Sequence, residues 1–363
     1  MSILILSNPL DVHAAAVHWG LKMLGCDSIL WDWSDFPKSD ALTLEIDETG
    51  NHKASMVIAG RECTGPFDVI WNRRAGTATP MLDSHPEDVV IIQRESNEFL
   101  KSISSLIGSA NSLWVNSPAA GQQADMKPAQ LLAARALGFK IPDTLIGNDF
   151  LKVKNFFEKH DGKIIYKAFF QGYWHHEQGS VTGLRTAALS EEHFQDDYGI
   201  RACPGIFQVL VEKSYELRVT VMGDTVLAAA IDSQSKGETI DWRCDLGADL
   251  PLKKIELPAE IADRCIALCR KLGLVFGCID LIVNKAGEYI FLEINEAGQF
   301  LWKEGIDPDL LTLDTFCRLL ASAVPSTHLT DKPTLHFADW EVSKEGQEYH
   351  ALYLKSLEKH ALS

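Results

Sequence analysis

The segment Val275–Asn295 restricts the fold more than any other stretch of the 363-residue chain. It holds two near-continuous apolar runs, Val275-Phe276-Gly277-Cys278-Ile279-Asp280-Leu281-Ile282-Val283 and Tyr289-Ile290-Phe291-Leu292-Glu293-Ile294-Asn295, joined by Asn284-Lys285-Ala286-Gly287-Glu288. Runs of this length around an Asn/Gly connection read as a buried antiparallel pair. With the turn centred on Ala286-Gly287, Asp280 faces Glu293, and Asn295 shares the face of Glu293 because side chains two apart on a strand point the same way. Two carboxylates and an amide inside apolar strands are costly to bury unpaired. Three hard oxygens on one patch call for a cation, and magnesium fits, since it takes a few protein oxygens and fills its octahedron with water and phosphate. The plainer reading of the same residues is a set of hydrogen-bonded acids at a strand end.

Charge narrows the partners. With 34 Lys+Arg against 50 Asp+Glu the chain carries a formal −16, which repels nucleic acid and anionic lipid; neither is expected as a partner. No apolar run reaches the roughly 18 residues of a membrane helix, and the Met1–Leu6 start lacks the basic region of a signal peptide. A cytoplasmic protein is expected. The eight cysteines are scattered without a CxxC pair and read as reduced, mostly buried thiols; Cys265 and Cys269 lie one helical turn apart, but no second pair completes a zinc site. There is no GxGxxG after the first strand and no GxxxxGK[ST] anywhere, so the Rossmann and P-loop readings lose their weight.

The elements alternate as in an α/β (α+β) chain. Residues 1–118 read as an N-terminal α/β unit that closes at Ser117-Pro118; 119–204 as a central unit opening with a helix Asp125–Leu137 and ending in a lid-like loop; 205–324 as a strand-rich C-terminal unit; and 325–363 as a tail with a helix over Gln347–His360. Lys127 begins a helix, and Lys167 interrupts the apolar strand Ile164–Phe169, where it reads either as a buried counter-charge or as an edge lysine. His175-His176 and the tryptophans Trp19, Trp31, Trp33, Trp71 and Trp114 invite ligand readings, but a polar loop and core packing account for them more simply.

In order and spacing, Lys127, Lys167, Phe207–Glu212, Glu216-Leu217-Arg218, Gly277–Asp280 and Leu292–Asn295 resemble the ATP-grasp fold, over about residues 113–323. Within it, Trp71-Asn72-Arg73-Arg74, Trp114–Pro118, Glu216–Gly223, Ile231–Gln234, Asp241-Trp242-Arg243 and Glu293–Trp302 are similar to the graspetide (microviridin-type, omega-ester-containing peptide) synthetases. The resemblance implies an N-terminal pre-grasp domain, central and C-terminal grasp subdomains, and ATP with magnesium as cofactors. Lys127 and Lys167 would hold the α- and β-phosphates, and Gln208, Val209, Leu210 and Val211 would form the hinge that reads adenine, with Glu212 on the ribose. Asp280, Glu293 and Asn295 would bind magnesium, Arg218 would stabilise the transferring phosphoryl group, and Arg243, with Arg73 and Arg74, would orient the carboxylate being activated, because an arginine fork matches a carboxylate. Val209 stands where relatives often carry an acid, and Phe169–His176 is bulkier than the usual loop over the phosphates.

The implied activity is ATP-dependent ligation: Asp or Glu side chains of a ribosomal precursor peptide become acyl phosphates and close into ester or amide macrocycles. Rival readings are a ligase that adds amino acids to a protein or small-molecule carboxylate, and a non-catalytic peptide-binding relative. The expected partner is a precursor peptide whose leader docks on about residues 119–204 through basic residues or an apolar helix face; a homodimer is expected. The tail has no family role, and its helix is expected to pack on its own domain.

Overall fold

A computed structural model describes residues 1–363 except 105, 170–171, 176–180, 184, 235–239, 241–250, 324–333 and 362–363. The chain starts with β1 (Ser2–Ser7), α1 (Val12–Met23), β2 (Asp27–Trp31), β3 (Ala41–Ile46), β4 (His52–Ile58), β5 (Arg61–Thr64), β6 (Phe67–Arg74), α2 (Val89–Ser104) and β7 (Gly108–Val115). Four of these strands form a parallel sheet in the order β2-β1-β6-β7, and β3-β4-β5 form a separate antiparallel sheet. Ile3–Leu6 are fully buried, as an inner strand of a sheet covered on both faces requires.

Next come α3 (Pro118–Ala124), α4 (Lys127–Ala136), β8 (Thr144–Gly147), α5 (Phe150–Lys159), β9 (Ile164–Lys167), β10 (Tyr173–His175), β11 (Val181–Gly183), β12 (Ala187–Ala188), α6 (Tyr198–Ala202) and β13 (Gly205–Val209). The helix expected over Asp125–Leu137 is α4, and a second, unexpected helix, α3, precedes it. Ser117 accepts the Ala120 N–H and Pro118 sits in the first turn, so the Ser-Pro pair that follows the end of β7 is also the start of α3. Pro128 lacks an amide hydrogen and is tolerated only in a first turn, so α4 starts afresh at Lys127. The sheet β12-β9-β13-β8 has its own small core around Val153, Ile164 and Phe207.

The remainder is β14 (Lys213–Met222), β15 (Thr225–Ile231), β16 (Leu252–Ile255), α7 (Ala259–Lys271), β17 (Phe276–Asn284), β18 (Tyr289–Asn295), α8 (Thr312–Ser322), α9 (Phe337–Val342) and α10 (Lys344–Ala361). The sheet runs β16-β15-β14-β17-β18. One face packs on α7 and on α3–α4, through Leu217, Val219 and Ile279 against Leu131, Ala134 and Leu268. The turn differs from expectation: Val283 pairs with Tyr289 and Leu281 with Phe291, which centres it on Ala286. Asn284 Oδ1 holds the Ala286 and Glu288 amides, and Gly287 takes φ +76°. Leu292 is then an extra residue in β18, and this bulge restores the pairing of Asp280 with Glu293 and of Cys278 with Asn295.

The tail packs on the adjoining C-terminal unit, where the Phe337 amide donates to Glu304 Oε1 at 2.8 Å, and reaches further than expected. Its helices also pack on α1 of the N-terminal unit: Trp340 is fully buried, and Tyr349 Oη donates to the Leu10 carbonyl at 2.9 Å. One apolar core runs from Ile5 and Val17 through Trp71, Phe276 and Phe316 to Trp340, joining the first unit, the C-terminal unit and the tail. Trp71 lies edge-on to Phe316 with centroids 4.8 Å apart, and Trp31 is buried, as the core-packing reading of the tryptophans expects.

Candidate active site

Arg218 on β14 lies directly across from Asp280 on β17, which lies across from Glu293 on β18. Directly opposed residues share a face, so the three form a charged row across the sheet. Arg218 Nη1 donates to Asp280 Oδ1 at 2.8 Å, with both side chains 9% exposed. Burial works against the Arg218 charge, yet the Asp280 carboxylate holds its pKa above the ordinary value. Asp280 Oδ2 and Arg218 Nε are buried with no hydrogen-bond partner among the described residues. Lys127 Nζ, on α4, is 3.2 Å from Glu293 Oε2, and Asn295 Nδ2 is 3.5 Å from Glu293 Oε1. No three His, Cys, Asp or Glu side chains are gathered for a metal among the described residues; a site here takes its third oxygen from Asn295. Two carboxylates, an amide and an unpartnered buried carboxylate oxygen suit a hard divalent ion.

Lys167 and the residues expected to form the hinge, Gln208, Val209, Leu210 and Val211, line one cleft with Glu216 and Leu292, between the central and C-terminal sheets. The Val209 amide donates to the Asp143 carbonyl at 3.0 Å and the Leu210 amide to the Lys163 carbonyl at 2.9 Å. Gln208 spends its side chain on Thr144 Oγ1 at 3.0 Å. Glu212 pairs with Lys285 on the surface at 3.1 Å. Glu216 lies deeper, bound by Lys213 Nζ at 2.6 Å and Ser233 Oγ at 2.8 Å; burial raises its pKa, and Lys213 opposes the rise.

The segment after β18 is fastened almost residue by residue. Asn116 Nδ2 donates to the Glu296 carbonyl at 3.0 Å, Arg73 Nη1 to the carbonyls of Ala297 and Gly298, Arg218 Nη2 to the Gln299 carbonyl at 3.2 Å, and the Phe300 amide to His13 Nε2 at 3.2 Å. Gly298 has no room for a side chain, since a Cβ there would stand 2.4 Å from Cys278 Cβ. Arg73 is buried, with Nε 3.2 Å from Asp11 Oδ2; its donors serve the protein. Arg74 is the more open of the two arginines, 3.9 Å from Asp11. Glu296, beside the row, has its pKa pushed up to about 6 by burial and by Asp125, against the pull of Arg73, Arg74 and Lys127.

Arg243, His176 and Cys244 lie outside the described residues, as do Asp241 and Trp242. Sequence reading missed Lys303, which is fully buried, donates to Thr220 Oγ1 at 2.5 Å, and has its pKa lowered to about 8 by burial and by Arg218. The sign was present: a lysine closing the apolar run Phe300-Leu301-Trp302, the pattern that marked Lys167. Asp11, His13 and Gln130 were also passed over, and Asn116 was quoted in a motif without a role. Their decisive partners, Arg73 for Asp11 and backbone groups of residues 275–300 for the other three, are far away in sequence, which no local pattern reveals.

Among solved structures, a RiPP-associated ATP-grasp ligase of Chryseobacterium gregarium, in complex with ADP and a leader and core peptide, is 25% identical and superposes with a TM-score of 0.80 over 92% of this chain and 99% of its own. The chain has the ATP-grasp fold. The macrocyclase MdnC of Microcystis aeruginosa MRC, bound with the precursor peptide MdnA, is 25% identical with a TM-score of 0.75 over 89% of this chain and 100% of its own. The ATP-grasp ligase PsnB shares the fold at 24% identity, with a TM-score of 0.70 over 89% and 99% of the two chains. No protein-family model matches the sequence, and no curated protein does. No helix among the described residues is long and apolar enough to cross a membrane.

Proposed function

We propose that this chain is an ATP-dependent ligase that activates Asp or Glu side chains of a ribosomal precursor peptide as acyl phosphates and closes them into ester or amide macrocycles. The observation that carries the reading is the row Arg218–Asp280–Glu293, with Lys127 against its end, in a chain that matches a peptide-bound ATP-grasp ligase along almost its whole length. The amides of Val209 and Leu210 are used inside the protein, so adenine reading falls to the backbone after Leu210, and Glu212 is assigned the ribose. Lys127 and Lys167 neutralise the phosphates. Asp280, Glu293 and Asn295 would hold magnesium, which when bound screens phosphate charge.

In the first step, a carboxylate oxygen of the peptide attacks the γ-phosphorus and the bond to ADP breaks, leaving an acyl phosphate. In the second, a hydroxyl or amine of the same peptide attacks the acyl carbon, phosphate departs, and the nucleophile loses its proton. Arg218, fixed by Asp280, faces the charge that develops in both steps. Arg74 is assigned the peptide carboxylate, with Arg73 behind it and Arg243 as a further candidate.

The leader is assigned to the open cavity of the central unit between α5 and α6, where Asp149 and Asp196 stand beside Phe150, Phe194 and Tyr198, with Lys154 and an Arg201–Asp197 pair on the same wall; a mixed-charge wall with aromatics fits a helix that has an apolar face. A homodimer is supported by Leu352, Leu354 and Leu357, exposed on α10, and a cytoplasmic setting by the free, mostly buried cysteines. The test is mass spectrometry of a candidate precursor peptide incubated with the protein, magnesium and ATP or ADP. Loss of one water per ring, with ATP only, is expected. Gain of a residue mass would instead mark amino-acid addition, and an unchanged peptide with no ADP release would refute the proposal.

A further inference from the structure

Strand β18 is the outer strand of its sheet, so among the described residues one of its edges has no neighbouring strand; near its start that edge is met by Lys140, whose carbonyl accepts the Phe291 N–H at 2.8 Å. At Ile294 that edge is met by the side chain of Gln130 from α4. Gln130 Oε1 accepts the Ile294 N–H at 3.1 Å, and Gln130 Nε2 donates to the Ile294 carbonyl at 2.9 Å and to the Ala124 carbonyl at 2.6 Å. Gln130 is 1% exposed, and its acceptor and both donors are employed. The amide therefore does at one residue what a paired strand does along its length.

That residue is the one between Glu293 and Asn295. Both of these side chains leave β18 on the same face, one on either side of Ile294, so the tilt of the Ile294 peptide sets the direction of both. Lys127, three residues before Gln130 on the same side of α4, reaches Glu293 itself. We propose that Gln130 is a positioning residue that sets the geometry of the oxygen ligands Glu293 and Asn295 by holding the peptide between them. The proposal rests on the reading that Asp280, Glu293 and Asn295 hold a divalent ion. Magnesium-type sites demand near-ideal octahedral geometry, and groups that orient metal ligands typically change affinity 10–100-fold when lost.

The test uses the full chain with Mn²⁺ as the probe, its free concentration read by electron paramagnetic resonance in the presence of ADP. ADP affinity is measured separately by calorimetry in EDTA. Gln130→Met keeps the length of the side chain and removes the amide; Gln130→Glu keeps an acceptor for the Ile294 N–H but turns an oxygen toward two carbonyls. Both are expected to raise the Mn²⁺ dissociation constant roughly tenfold, with metal-free ADP affinity unchanged in Gln130→Met. If Gln130→Met does not fold, Gln130→Glu carries the same comparison. Wild-type Mn²⁺ affinity in a folded variant would overturn the proposal, and so would an equal loss of metal-free ADP affinity, which marks general distortion. Glu293→Ala is the control for the underlying reading: undiminished Mn²⁺ binding there would remove the metal site itself, and the proposal with it.

Discussion

Replacing Asp11 by Asn isolates one buried charge. Asp11 has two roles: its Oδ1 caps α1 by accepting the amides of His13 at 2.9 Å and Ala14 at 3.1 Å, and its carboxylate faces Arg73, whose side chain is 1% exposed. Asparagine caps a helix as well as aspartate does, so Asp11→Asn spares the first role and removes the second. The guanidinium then keeps only the neutral carbonyls of Ala297 and Gly298. Stripping one partner from a buried pair costs about 3–5 kcal/mol; Arg74, half exposed at 3.9 Å, adds little because solvent screens it. Arg73→Met combined with Asp11→Asn leaves no isolated charge, so the double variant should be more stable than the two single losses added together, by about 2 kcal/mol. Urea unfolding of the four proteins measures this. A loss below about 1 kcal/mol in Asp11→Asn, or simple additivity, would refute the placement of Arg73 as a charge held by Asp11 and return it to the substrate.

Lys167→Ala should raise the KM for ATP and lower kcat by roughly tenfold or more, because a phosphate counter-charge is lost; unchanged ATP kinetics would make Lys167 a structural lysine. Trp340→Ala should cost about 3–5 kcal/mol, since the ring is fully buried between Phe337 and Tyr349, while ADP affinity of the folded protein holds; a loss under about 1 kcal/mol would show that the tail does not share the core. His13 has its pKa lowered from 6.5 to about 3, by burial and then by Arg73. The unfolded chain therefore takes up a proton near pH 6.5 that the folded chain refuses until about 3, and stability should fall between those values by about 1.4 kcal/mol per pH unit from this residue. His13→Gln should flatten the slope of unfolding free energy against pH, and an unaltered slope would refute the assignment.

The acids of β17 and β18 were legible because a charge in an apolar run is a local anomaly, and the pairing of Asp280 with Glu293 was read correctly although the turn was not. A half-step error at Ala286 was cancelled by the bulge at Leu292, which no periodicity displays. Ser117-Pro118 marked the end of β7 as expected, but the same dipeptide also opens α3, which was not foreseen. The Arg73-Arg74 pair was visible as a motif, but which guanidinium turns inward depends on Asp11 and on carbonyls more than two hundred residues away. The tail was read as a helix from its spacing; that it lands on α1 follows from Trp340 and Tyr349 finding the core that α1 and α8 share, a long-range fit.

The way the cores are divided also says which part of the molecule can swing. Helices α3 and α4 share an apolar core with the C-terminal sheet, and that sheet's other core continues into the N-terminal unit and the tail. The central sheet keeps to its own small core and joins the rest near Pro142 and through the stretch after Val209. Lys127 therefore belongs to the anvil and Lys167 to the jaw. A polyphosphate placed as proposed, between Lys127 and Lys167, would bridge anvil and jaw, so the nucleotide would be at once the fuel for the reaction and the latch of the chamber in which it is burned.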